Sequence, residues 1–125
     1  MSIISIELLN DNVCPLTTTD CEDMSDSFSY SDSILVVKEK NKIVSCLGYS
    51  NPHKDAIHID GTCTKKTSRG KSYNTLLRVV LFMMAKKNNF KYITASLNNK
   101  STPLMTGVLN AVCDDKKYFK ECNWK

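Results

Sequence analysis

The stretch from Thr64 to Leu77 reads T-K-K-T-S-R-G-K-S-Y-N-T-L-L, and it gathers small polar and basic residues around one glycine. A strand-like run, Ala56 to Thr64, leads into it, and a long apolar run from Asn74 to about Asn88 leaves it. A loop that opens a helix presents first-turn amides with no carbonyl partner inside the helix. With the positive end of the helix dipole, these amides form an anion site. Arg69 and Lys71 add charge beside them, so phosphate binding is the chemistry this phrase suits. The competing reading is a solvated loop with ordinary capping residues. Gly70-Lys71-Ser72 imitates the end of a nucleotide-binding P-loop. That motif needs a glycine five residues before its second one, and Lys65 stands there.

A second candidate lies in the preceding strand. Strict alternation over Ala56–Thr64 puts Ile57, Ile59, Gly61 and Cys63 on one face and His58, Asp60, Thr62 and Thr64 on the other. An imidazole titrates near neutral pH, so His58 is the candidate proton acceptor and Asp60 its substitute. The plainer reading is a histidine on a polar strand face with no catalytic part.

These residues must be positioned by a modest set of elements. Ile3 to Leu9 is a short strand, and Asn10 to Ser33 is an acidic, Ser/Thr-rich excursion with at most a short helix near Asp20 to Ser27. Ser33–Glu39 and Lys42–Tyr49, split by Lys40-Asn41, form a β-hairpin. Asn51-Pro52 marks a turn. Seven consecutive apolar residues, Val79 to Ala85, make the following helix buried on more than one side. Tyr92 to Leu97 is a strand, Ser101 to about Val112 a second helix with Pro103 in its first turn, and Tyr118 to Lys125 a last strand. The unit from Ile57 to Leu97 implies a parallel crossover. The expected fold is α/β in the α+β sense, a mixed sheet with helices on its faces, in a single domain covering residues 1–125.

Bulk composition narrows the function classes. The chain has 125 residues, 42% of them hydrophobic and 24% charged, with a net charge of +4. Basic residues are spread rather than massed on one face, which argues against a nucleic-acid partner. No run is long enough to cross a bilayer, so no membrane partner is expected. The six cysteines include no C-x2-4-C pair to hold a metal, so no metal site is expected. The N-terminus lacks the pattern of a signal peptide. A cytoplasmic protein with reduced thiols is therefore expected, Cys46 and Cys63 acting as small core residues.

R-G-K-S-Y-N-T-L-L resembles the pyrophosphate loop of the GCN5-related N-acetyltransferases, whose pattern is Arg or Gln, any two, Gly, any, then Gly or Ala. The hairpin Ile34–Tyr49, with K-x-x-I-V-S-x-L-G-Y, is similar to that family's strands two and three. Ala56–Thr64 is similar to its strand four, and the helix and Tyr92–Leu97 to the elements after it. The likeness spans about residues 33 to 112. It implies a mostly antiparallel central sheet with helices on both faces. It also implies acetyl-CoA bound by Cys63, Thr64, Ser68, Arg69, Gly70, Lys71, Ser72, Tyr73 and Asn74, and acetyl transfer to a primary amine on a small molecule or protein. His58 falls where some members carry a catalytic glutamate. The departures are specific. Ser72 and Asn74 fill the two glycine positions, and Val108 falls where a general-acid tyrosine is usual. The C-terminus also looks too short for the two last strands. Either a homodimer partner completes that wall or the cleft is left open. These departures keep a second expectation alive, a catalytically inactive module that binds CoA or another protein.

Overall fold

Alternating apolar residues in the two hairpin strands decide where the core sits. In Ser33–Glu39 (β2), Leu35 and Val37 face one side of the sheet, while Ile34 and Val36 face the other. All four are at most 2% exposed, so both faces are covered here. A computed structural model describes residues 3–18, 20–21, 28–53, 55–90, 92–95, 111–116 and 119–124. Besides β2, the strands are Ile4–Leu9 (β1), Lys42–His53 (β3), Ala56–Thr64 (β4), Tyr92–Ala95 (β5), Ala111–Lys116 (β6) and Phe119–Trp124 (β7). They form one sheet in the order β1-β2-β3-β4-β5-β7-β6. The β4–β5 pair is parallel and the other pairs are antiparallel.

Tyr73–Lys87 (α1) lies on one face of this sheet and buries Leu77, Leu81, Phe82 and Ala85 against Leu35, Val37, Leu47, Ile57 and Ile93. The other face is covered by the N-terminal excursion, which places Cys14, Leu16, Cys21 and Phe28 against Ile34, Val36, Cys46 and Cys63. Gly48 is needed there. A Cβ on it would stand 2.4 Å from Ser31 Oγ and 2.8 Å from Phe28 Cδ1. The hairpin turn fits its sequence too. Lys40 and Asn41 both have positive φ, 52° and 67°, as a two-residue hairpin turn requires.

Several expectations are corrected. Asn51-Pro52 does not end β3, which runs on to His53 and turns only before Ala56. The register skips between Ser50 and His53, so Pro52 sits at an irregularity where its missing N–H breaks no regular ladder. The second helix, Ser101 to Val112, falls outside the described residues up to 110, and Ala111 and Val112 belong to β6. With β6 and β7 present, two strands follow residue 110, and β7 pairs with β5 through Tyr92↔Asn123 to Ala95↔Lys120. The two last strands that the C-terminus looks too short to form are thus present, because Ala111–Lys116 and Phe119–Trp124 need only six residues each.

Four of the six thiols, Cys46 and Cys63 among them, are oxidised rather than reduced. Cys14 is bonded to Cys46 and Cys21 to Cys63, with Cα–Cα distances of 6.5 and 6.1 Å. Both bonds fasten the N-terminal excursion to the central strands. Composition could not reveal this, because the partners are 32 and 42 residues apart. Among the described residues no helix is long and apolar enough to cross a membrane.

Candidate functional site

β4 does not keep strict alternation, and this reorganises the site. Gly48 pairs with Gly61 and Tyr49 with Ile59, so Asp60 is an extra residue, a β-bulge. Beyond it the faces exchange. Ile57 and Ile59 pack under α1, while Cys63 packs on the opposite side. Along β4, the described pairing with β5 covers Ala56 to Ile59 and goes no further. The stretch from Asp60 to Thr64 thus has β3 on one side and no described strand on the other.

After Thr64 the chain turns across β3. The Lys65 amide donates to the Val44 carbonyl at 2.8 Å, and Lys66–Ser68 forms a short 3-10 helix. The Lys66 amide donates to Asp20 Oδ1 at 3.0 Å, which ties the acidic excursion to this loop. Arg69 folds back so that Nε donates to the Thr64 carbonyl at 3.2 Å. Two left-handed residues follow, Gly70 with φ 85° and Ser72 with φ 63° and ψ 25°. Ser72 stands at the first motif-glycine position and keeps the conformation glycine favours there, at a cost of about 1–2 kcal/mol for an L-residue. It is the N-cap of α1 but makes no side-chain cap hydrogen bond. The first backbone bond of the helix runs from the Leu76 amide to the Ser72 carbonyl, leaving the amides of Tyr73, Asn74 and Thr75 ahead of the ladder.

A groove of about 390 Å³ opens at this junction, lined by Thr64, Ser68, Arg69, Gly70, Ser72, Tyr73 and Asn74. Seven of the nine residues expected to hold a cofactor thus surround one concavity. Cys63 does not line it, being 3% exposed and disulfide-bonded on the opposite face of the sheet. Lys71 does not line it either. Its Nζ lies 3.3 Å from Glu39 Oε2, and the Tyr73 hydroxyl donates to the same oxygen. The Tyr73 hydrogen bond and then Lys71 hold the Glu39 carboxyl below its ordinary pKa, while Glu39 pushes the Tyr73 phenol up. Glu39 was not singled out in the sequence, where nothing marks it. Asn74, at the second glycine position, turns Nδ2 toward Thr62 Oγ1 at 3.5 Å and accepts from Arg78 Nε at 2.9 Å.

His58 and Asp60 lie on β4 beyond the groove. His58 stands six positions before Thr64, about 20 Å along an extended strand. His58 is half-buried, and burial pushes its pKa down, with Asp60 opposing. Neutral imidazole, the form that accepts a proton, is therefore favoured. Asp60 is otherwise engaged. Oδ2 accepts from Ser31 Oγ at 2.8 Å and Oδ1 from Ser50 Oγ at 3.1 Å. Its carboxylate ties the bulge to two other segments. Val108 lies outside the described residues. Among the described residues no group of three His, Cys, Asp or Glu side chains could hold a metal.

No protein-family model and no curated protein matches this chain. Solved structures do. The catalytic domain of the Tetrahymena GCN5 histone acetyltransferase, in complex with coenzyme A, aligns at a TM-score of 0.72 and 10% identity, over 97% of this chain and 93% of that one. A GNAT family acetyltransferase from Elizabethkingia anophelis with acetyl-CoA bound aligns at 0.66 and 16% identity, over 90% and 78%. An IAA acetyltransferase from Bacillus cereus aligns at 0.70 and 12% identity, over 90% and 79%. With identities this low the likeness is one of backbone architecture: the chain has the fold of the GNAT acetyltransferases.

Proposed function

We propose that this protein is an acyl-CoA-dependent N-acyltransferase that moves an acetyl group to a primary amine on a small molecule or protein. The observation that carries this reading is the groove at the β4–α1 junction, with its first-turn amides and Arg69, on the same strand as a half-buried histidine. The diphosphate would sit on the Tyr73, Asn74 and Thr75 amides, helped by the Arg69 guanidinium. The pantetheine arm would follow the β4 edge from Thr64 to Asp60, where no described strand competes for the backbone of β4. Acetyl-CoA bound in this way would supply the thioester: the amine nitrogen bonds to its carbonyl carbon, the C–S bond breaks, and CoA leaves as a thiolate that takes its proton from solvent. Neutral His58 takes the proton that the attacking nitrogen must lose.

Two of the solved structures of similar fold hold acetyl-CoA or coenzyme A, which supports the choice of an acyl-CoA as the ligand class. A second reading, a module that binds CoA without turnover, is favoured by one observation. Asn74 fills a glycine position and commits its amide group to Thr62 and Arg78. Two disulfides fit an oxidising compartment better than the cytoplasm.

The test is acetyl transfer from acetyl-CoA to a panel of polyamines and lysine peptides, with free thiol as the readout. The enzyme reading expects turnover that His58→Gln reduces by about 10²- to 10⁴-fold. Binding of CoA without turnover on any amine selects the binding module instead.

A further inference from the structure

Two residues of the groove loop adopt left-handed backbone, and only one of them is glycine. Ser72 lacks a side-chain cap that would hold it in place. Its two neighbours are held from outside the loop. The Lys71 ammonium and the Tyr73 hydroxyl both reach Oε2 of Glu39, at the end of β2, 32 and 34 residues away in sequence. Tyr73 is 8% exposed and lines the groove, whereas the Lys71 side chain is half in solvent. The loop is thus pinned on either side of its strained residue by one carboxylate oxygen of a neighbouring strand.

We propose that Glu39 is a positioning residue for the anion groove, holding Lys71 and Tyr73 so that Ser72 stays left-handed and the first-turn amides point into the groove. This deepens the acyl-CoA reading and rests on it. Glu39 touches no ligand in this role. A carboxylate beside a diphosphate site would by itself oppose the ligand. Here its charge is matched by Lys71 and its oxygen is taken up by Tyr73, and charge-assisted bonds of this kind are among the stronger ones.

The experiment measures affinity by calorimetry for CoA, for ADP as a diphosphate probe and for pantetheine, which lacks the diphosphate. It compares wild type with Tyr73→Phe, Glu39→Gln and Glu39→Ala, with thermal melts run in parallel. Tyr73→Phe removes one bond without changing charge, and Glu39→Gln removes charge while leaving an acceptor. The expected result is a loss of roughly tenfold in CoA and ADP affinity for Tyr73→Phe and Glu39→Ala. Glu39→Gln falls between these and wild type, and pantetheine affinity is unchanged throughout. Tighter CoA binding in both Glu39 variants with no change in Tyr73→Phe would overturn the proposal, because Glu39 would then act only as an opposing charge. Equal losses for all three ligands, tracking the melting temperature, would also overturn it. Wild type that binds neither CoA nor ADP sinks the acyl-CoA reading itself, whereas wild type that binds and variants that bind equally sink only the role of Glu39.

Discussion

His58 and Glu39 both have ionisation shifted by their surroundings, and both shifts make the folded protein sensitive to acid. Burial lowers the pKa of His58 below its ordinary 6.5, so the unfolded chain takes up that proton first. Stability from this group is present above that pH and is lost as pH falls through the folded value. Glu39 is lowered from 4.5 by Tyr73 and Lys71 and behaves in the same way at lower pH. Urea titrations at falling pH should show the wild-type midpoint dropping below pH 6.5, and His58→Gln should flatten the first part of that decline. The acidic limb of turnover should likewise have its midpoint below 6.5 if His58 is the base, and a midpoint above 6.5 would exclude it. Asp60 is expected to matter for folding rather than for proton transfer. Asp60→Ala leaves two serine hydroxyls without their acceptor and should cost about 1–3 kcal/mol, with CoA affinity preserved.

Among the elements, β2, β4 and α1 were legible in the sequence because their apolar patterns are long and locally consistent. What escaped was any feature set by a neighbouring strand. The Asp60 bulge exists because β3 and β4 differ by one residue between two paired positions, and it sends Cys63 to the face opposite the one that alternation assigns. The loop residues around the groove could be read from their order alone, whereas the Glu39 clamp closes across 32 residues and leaves no local trace. Two substitutions test the element-level account. Ser72→Gly relieves a left-handed serine and should stabilise the protein by about 1 kcal/mol in urea unfolding. Gly48→Ala forces a methyl group against Ser31 and Phe28 and should destabilise it by about 1–3 kcal/mol. Neutral results would mean that the loop or the excursion relaxes freely.

For the molecule as a whole, the excursion and the sheet behave as one unit because two covalent bonds join them. Each closes a loop of tens of residues, which in the chain-entropy description is worth about 4 kcal/mol for one bond considered alone. Treatment with a dithiol should therefore lower the melting temperature by 10 °C or more, on the scale of a few degrees per kcal/mol. Alkylation of Cys14, Cys21, Cys46 and Cys63 in the untreated folded protein would show that these bonds do not form.

The groove at Thr64–Asn74 is the most exposed point of the whole account, and a thermal-shift titration with acetyl-CoA addresses it directly. A ligand bound only by the folded protein adds about 2.7 kcal/mol at a hundredfold excess over its dissociation constant, a rise of roughly 10 °C. The rise should shrink sharply in Arg69→Ala and be competed by ADP. An unmoved melting temperature at millimolar acetyl-CoA, or a full shift retained in Arg69→Ala and indifferent to ADP, would contradict it.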